Sequence, residues 1–369
     1  MTQTKVHLTL CAYSNIDRPD AMSTILAYLR SSTAPGADPV QLPRTLLILL
    51  QLIKELSTAR ILSTRKHLQS VSPEVFHVLG TIYVEKVNQW VAILEHGGAA
   101  EGLLMETIEQ SLVSLKVLRR LIISGFEHPG RDQEVQSFWA LTCEHFLRFL
   151  SFSNHSSALP EQVSHVIQKH AIQLSKLHVD MAKTHPASFA LFPQSIDLVN
   201  SYWAALSDLS KDYVNLGADD EPEGQSISQR IGLRALILIR ACAKMVFNPA
   251  LTFKYQTAND KEERNRAVER VKSELFTDGF VVNTMVLIVR NFFCLRNAEF
   301  QEWTEEPESW EKREEVSTDG WEFSIRSCSE KLFLDLVINF KNLLIAPLLD
   351  AFYSIAREYQ LYIPDGDQC

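Results

Sequence analysis

The stretch LLMETIEQSLVSLKVLRRLI, residues Leu103 to Ile122, decides the fold. Its apolar side chains Leu104, Ile108, Leu112, Leu115, Leu118 and Ile122 follow at gaps of four, four, three, three and four. That is the period of an α-helix with one apolar face. The same spacing returns in Leu46, Leu49, Leu50, Ile53 and Leu56, and in Val163, Val166, Ile167, Leu174, Leu177 and Met181. It returns again in Phe333, Leu336, Val337, Phe340 and Leu344. Period-2 alternation is nearly absent; Thr252–Thr257 is the nearest candidate strand, short and isolated. The chain therefore reads as all-α.

Punctuation between the apolar stripes supports this. Ser72-Pro73-Glu74 reads as an N-cap, a first-turn proline and an acid near the positive helix end. Pro160 opens another helix, and Pro347 fits a first turn. Gly97-Gly98, Gly125, Asn154-His155-Ser156 and Gly217 act as stops. The resulting helices pair as 42–59 with 72–95, 101–124 with 132–152, 161–184 with 193–215, 227–247 with 263–296, and 325–341 with 344–359. Five consecutive antiparallel pairs without sequence identity between them point to a HEAT-repeat, armadillo-like superhelical solenoid. The period is longer than the roughly 40–47 residues of a compact unit, so the repeats carry long helices and insertions.

Composition narrows the function classes. Hydrophobic residues make up 46% of the 369 and charged residues 22%, too apolar for a disordered chain. No apolar run approaches the roughly 20 residues that span a bilayer, so no membrane insertion is expected. The net charge is -9, with Lys and Arg scattered. The groups Arg60/Arg65/Lys66 and Lys116/Arg119/Arg120 read as solvated helix faces, and direct nucleic-acid binding is not expected. The six cysteines, Cys11, Cys143, Cys242, Cys294, Cys328 and Cys369, share no C-x-x-C spacing and read as free core thiols of a reducing compartment. Nucleotide loops, a nucleophile elbow and an H-E-x-x-H motif are all missing. His165 and His170 are five apart, and His178 and His185 seven apart, so neither pair has the i, i+4 spacing of two ligands on one helix face. The reading is a binding protein, with no enzyme activity, metal or cofactor.

Two segments interrupt the stripes. Gly217–Gln225 (GADDEPEGQ) is polar and acidic and reads as a surface loop. Asn297–Gly320 (NAEFQEWTEEPESWEKREEVSTDG) holds nine acidic residues against two basic ones, with Trp303 and Trp310 inside it and Trp321 directly after. A merely solvated loop gains nothing from tryptophans. Either they strap the segment onto the helices, or they help to dock a partner. The candidate partner-contacting residues are Glu302, Glu305, Glu306, Glu308, Glu311, Glu314 and Glu315 for the field, with Trp303 and Trp310 as anchors.

Residues Gln41–Trp90 (QLPRTLLILLQLIKELSTARILSTRKHLQSVSPEVFHVLGTIYVEKVNQW) resemble an early-repeat region of importin-beta-type nuclear transport receptors, of the importin-eleven class as found in fungi. EWTEEPESWE (Glu302–Glu311), followed by WEFSIRSCSEKLFLDLVINFKNLLIAPLL (Trp321–Leu349), resembles the acidic W-E-x-D-P-E-x-W insertion of that class and the helix pair after it. Glu306 stands where aspartate is usual. The resemblance runs from about Pro19 to Cys369, dividing the chain into a divergent segment 1–18, helical repeats over 19–296, the insertion 297–320 and a further helix pair over 321–369.

The resemblance implies a nuclear import receptor that binds cargo proteins, basic ones expected among them, together with Ran-GTP and nuclear pore proteins, and shuttles between nucleus and cytoplasm through the nuclear envelope. Family members are two to three times as long and begin with a Ran-gripping domain, so the sequence reads as a truncated form. Its first and last helices are expected to expose apolar faces and favour self-association. The pattern alone fits equally well a HEAT scaffold for a different assembly, without Ran dependence.

Overall fold

A computed structural model describes residues 21–34, 36–96, 101–154, 159–215, 225–253, 257–317 and 321–360. Among them every regular element is helical and no strand occurs. Segment 1–18, Gly97-Gly98, His155-Ser156, Gly217, most of the 217–225 segment, Cys11 and Cys369 lie outside the described residues. The helices fall into two compact units, Met1–Asp180 and Met181–Cys369.

The first unit contains α1 (Ala21–Ser32), α2 (Gln41–Thr58), α3 (Leu62–His96), α4 (Glu101–Arg120), α5 (Gln133–Asn154) and most of α6 (Glu161–Thr184). Helices α2 and α4 pack side by side, and α3 packs along α4. This is the layered pairing of stacked helical hairpins. The stripes that define the helices are the core: Leu104, Ile108, Leu112, Leu115, Leu118 and Ile122 are all buried, as are Val163, Val166, Ile167, Leu174, Leu177 and Met181. Each buried aliphatic side chain contributes roughly 1.5–3 kcal/mol of transfer free energy. Aromatics join α3 to α5: Phe76 and Tyr83 meet Phe138 edge-on at 5.4 and 5.5 Å. Trp90 lies 4.8 Å from Phe149 with the rings tilted, and its indole N–H donates to Ser111 Oγ at 3.1 Å.

The second unit contains the end of α6, then α7 (Pro186–Leu191), α8 (Ser195–Ser210), α9 (Ile227–Phe247), the short α10 (Pro249–Thr252), α11 (Ala258–Arg270) and α12 (Asp278–Leu287). After these come α13 (Asn297–Glu305), α14 (Pro307–Ser317), α15 (Ile325–Asn339) and α16 (Lys341–Gln360). Helix α9 packs along α8 and beside α15, and α12 packs beside α16. Ser226 caps α9 as sequence chemistry dictates, its hydroxyl accepting from the Gln229 N–H at 3.2 Å. Pro160 likewise stands at the head of α6, its carbonyl accepting from the Ser164 N–H at 3.0 Å. No single described helix is long and apolar enough to cross a membrane.

Several expectations need correction. Ser72-Pro73-Glu74 does not start a helix, because α3 begins at Leu62 and runs through Pro73. Leu68, Val75, Phe76 and Leu79 are buried in one helical register on both sides of the proline. Their packing outweighs the roughly 3 kcal/mol that an interior proline costs. Ser72 turns its hydroxyl back to the Leu68 carbonyl at 2.6 Å instead of capping. Pro347 is also interior, lying in α16 after Lys341.

The helix expected over 263–296 is two helices bent by 68°. Thr277 caps the second, its hydroxyl accepting from the Phe280 N–H at 3.3 Å. The expected 193–215 helix is shorter, and α7 precedes it across a turn in which Gln194 takes a left-handed φ of 46°. Arg270 holds that turn by donating to the carbonyls of Ala190 and Phe192 at 3.1 and 2.9 Å. Thr252 of the candidate strand closes α10.

Lys116, Arg119 and Arg120 are no solvated face. Arg119, 17% exposed, pairs with Asp180 at 2.7 Å. Burial first, then neighbouring cations, hold Lys116 and Arg120 below their ordinary pKa values. Cys143, Cys242 and Cys328 are buried free thiols, each pushed up to about 12 by burial, whereas Cys294 is exposed.

Gly125 ends the helical run after α4 and also lets two helices approach. A Cβ there would lie 2.0 Å from Ser72 Oγ and 2.8 Å from Ser72 Cβ. Ser72 is fully buried and bonded, so it has no space to retreat. Gly125→Ala is therefore expected to destabilise the first unit by about 1–3 kcal/mol, read as a lower midpoint in thermal circular dichroism. An unchanged melt would contradict the close approach.

Candidate functional site

The acidic insertion folds as a helical hairpin, which corrects the expectation of a loop. Its Glu, Gln and Lys content favours helix, and Pro307 sits at the first position of α14 with Glu308 in the first turn, where the helix dipole favours an acid. Helices α13 and α14 pack on each other, and α13 also touches the short turn Tyr213–Asn215.

What fixes the hairpin is a buried ionic cluster that the sequence reading missed. Glu299 lies between Arg296 and Arg326, and all three are buried. The Glu299 carboxylate accepts from the Arg296 backbone N–H at 2.8 Å and from its guanidinium at 3.2 Å, with Arg326 Nη1 4.0 Å away. Burial pushes the carboxyl up, but hydrogen bonds and charge from Arg296, then charge from Arg326, outweigh it and hold the pKa below the ordinary value. Arg296 also lies 5.7 Å over the Tyr213 ring, and Arg326 6.0 Å over the Trp310 ring. Asn297 donates to the Asn215 side-chain oxygen at 3.2 Å. Arg296 and Glu299 at i, i+3 carried a local signal of this pairing; Arg326, on α15, carried none.

The two tryptophans divide. Trp310 is half-buried under Arg326, its indole nitrogen enclosed without a hydrogen-bond acceptor among the described residues. Trp303 is 45% exposed and sits between Phe300, at 5.8 Å, and Trp310, at 6.5 Å. Glu305, Glu306, Glu308 and Glu311 are exposed, and Glu302 is half-buried. Gln301 donates to Glu305 at 3.0 Å across one helical turn. The side chains of Glu314, Glu315 and Trp321 lie outside the described residues. One face of the hairpin is thus tied down, and the other presents carboxylates around aromatic rings. Such a face suits a cationic partner with apolar groups for the rings.

Elsewhere, helix α15 exposes Leu334 and Ile338, and α16 exposes Ile345, Leu349, Phe352 and Tyr353, a patch of the kind expected for the last helix pair. On α1 the exposed large apolar residue is Tyr28, while Met22, Leu26 and Leu29 are buried.

No family model matches the chain. It is 26% identical over 313 residues to the importin beta-like protein KAP120 of Saccharomyces cerevisiae, covering 85% of this chain and 29% of that protein. It is 24% identical over 346 residues to the importin beta-like protein kap113 of Schizosaccharomyces pombe, covering 91% and 33%. Human importin-11 is 23% identical over 354 residues, covering 95% and 34%. Among solved structures, that of Lph2, described as a bidirectional nuclear transport receptor in S. cerevisiae, superposes with a TM-score of 0.75 at 23% identity. That likeness covers 91% of this chain and 31% of the other, and it establishes the fold as the all-α HEAT-repeat solenoid type. The chain spans about a third of the length of the relatives it matches. Across nearly all of its own length, the chain is a homologue of the importin-beta-family proteins importin-11, KAP120 and kap113.

Proposed function

We propose that this chain is part of a nuclear transport receptor, carrying protein cargo between cytoplasm and nucleus under the control of Ran-GTP. The observation that carries the reading is the similarity to importin-beta-type proteins along 85–95% of the chain. Stacked helical pairs supply a long surface for protein partners, and because each pair touches only its neighbours such a stack flexes readily. Cargo, Ran-GTP and nuclear pore proteins are the partners in this reading, and no chemical step is assigned to the chain.

Within it, the anchored acidic hairpin is the partner-contacting element. Glu302, Glu305, Glu306, Glu308 and Glu311 supply a negative field and Trp303 an exposed aromatic anchor, facing Ran-GTP or a basic cargo. Glu314 and Glu315 complete the acidic run in sequence. The exposed acids act mainly through long-range attraction, which raises association rates and fades with salt.

The test is titration calorimetry with Ran-GTP and, separately, Ran-GDP. Selective binding of the GTP form supports the receptor reading, whereas equal or absent binding favours a HEAT scaffold for another assembly. Reversing Glu305, Glu306 and Glu308 to Lys is expected to weaken Ran-GTP or basic-cargo binding at least about tenfold at physiological salt. Unchanged affinity would show the hairpin to be a strap alone.

A further inference from the structure

A second charged feature of the second unit has the opposite sign. A cup of about 550 Å³ opens between the end of α6, helix α9, the short helix α10 and the turn Trp321–Phe323. Lys183, Arg240 and Lys244 face it from two helices, and Ile237 and Leu251 form its apolar wall. Glu322 donates no proton here; its carboxylate accepts from Lys183 Nζ at 2.8 Å. Arg240, beside the cup, pairs with Asp335 of α15 at 2.6 Å. Three cations therefore meet two carboxylates, and Lys244 forms neither an ion pair nor a side-chain hydrogen bond with any described residue.

Burial first, and then the adjacent Arg240, depress the Lys244 pKa; Lys183 adds to the effect, while Asp335 and Glu322 oppose it. An ammonium so placed gains from any carboxylate that enters. Leu251 stands 88% exposed at the mouth, where an aliphatic residue has no internal packing role. A basic floor with an exposed leucine at its rim matches a segment in which acidic and aliphatic residues alternate.

We propose that this cup binds an acidic, leucine-containing segment of a protein partner, with one partner carboxylate paired to Lys244 and an aliphatic side chain against Leu251 and Ile237. A nucleic acid fits less well, because Glu322 and Asp335 repel a phosphate backbone and, among the described residues, no aromatic side chain lines the cup to stack a base. The inference does not rest on the acidic hairpin or on Ran.

The experiment is fluorescence anisotropy of the full chain with a labelled peptide of alternating Glu and Leu, with inorganic phosphate and oligothymidylate as competitors. The peptide is expected to bind, and to bind more weakly as salt rises. Lys244→Glu is expected to weaken it roughly tenfold and Lys244→Arg to preserve it. Leu251→Asp, at a solvent-exposed position, is expected to weaken it several-fold with an unchanged thermal melt. Failure of the peptide to bind, equal binding by Lys244→Glu, or displacement of the peptide by phosphate or oligothymidylate as effectively as by unlabelled peptide would each overturn the proposal.

Discussion

Lowering the pH from 7 to 4 is expected to unfold the first unit, because three buried imidazoles must take up protons. His145, His170 and His178 are enclosed by α3, α5 and α6 among aromatic rings. Tyr83 Oη and His145 Nδ1 are 2.9 Å apart, within hydrogen-bonding distance. Neither nitrogen of His170 has a hydrogen-bond partner among the described residues, and Phe149, Trp90 and Tyr83 surround it at 5.3, 6.0 and 6.3 Å. Burial lowers the three pKa values from 6.5 to about 4, about 3 and about 3, respectively, with Arg148 adding to the shift at His145 and then His145 and Lys116 at His170.

The folded pKa values lie below the unfolded one, so between them the unfolded chain binds more protons. The stability contribution is complete above about pH 6.5 and is lost progressively as the pH falls towards the folded values. The slope is about 1.4 kcal/mol per pH unit for each histidine. By pH 4 the combined loss is on the order of several kcal/mol, comparable with the 5–15 kcal/mol that stabilises a whole domain. Tryptophan fluorescence reads the transition directly, since Trp90 and Trp139 sit against these rings. Replacing His170 with Phe is expected to move the acid midpoint down. A midpoint that stays put in that variant would remove the histidines from the account.

Glu299→Gln is expected to free the acidic hairpin from the second unit. The substitution leaves Arg296 and Arg326 buried together without their shared counter-charge, and breaking such a group typically costs 3–5 kcal/mol. The other attachments seen among the described residues are Trp310 under Arg326 and Asn297 on Asn215. The loss is therefore expected to appear locally, as faster amide exchange over 297–317, before the rest of the unit melts. Glu305→Gln, at an exposed site on the same hairpin, is the matched control and is expected to leave exchange unchanged. Equal exchange in both variants would show that the triad does not anchor the hairpin. The pH window also separates the two effects. The Glu299 pKa is depressed, so its contribution is present above the ordinary carboxylate range near 4.5 and is lost below it. The histidine transition begins two units higher.

Much of this molecule was legible from residue order. Helix α9 matches the expected 227–247 and α6 the expected 161–184, because a long apolar stripe bounded by caps or prolines leaves one answer. The stripes in α4 and α6 are buried residue for residue. Reading failed where local chemistry and packing disagreed. Ser72-Pro73 has the form of a helix start, yet α3 passes through it because the buried register on both sides is worth more than the proline costs. Thr277-Asp278-Gly279 has the form of a cap as well, and there the chain obeys it, although the apolar period runs on past it.

The candidate site divides in the same way. The acidity of 297–320 and the presence of its tryptophans are properties of composition, and the sequence by itself determines them. Which tryptophan is tied down and which is exposed depends on Arg326, a residue of the following helix that reaches Trp310 and Glu299 only when α15 is in place. The basic cup has the same origin, since Lys183, Arg240, Lys244 and Glu322 are scattered in sequence and share a surface only because α9 packs between its neighbours. Helical periodicity is a local property, fixed by side chains three and four residues apart. Ion pairs and pockets join residues from different helices, so only the tertiary structure decides them.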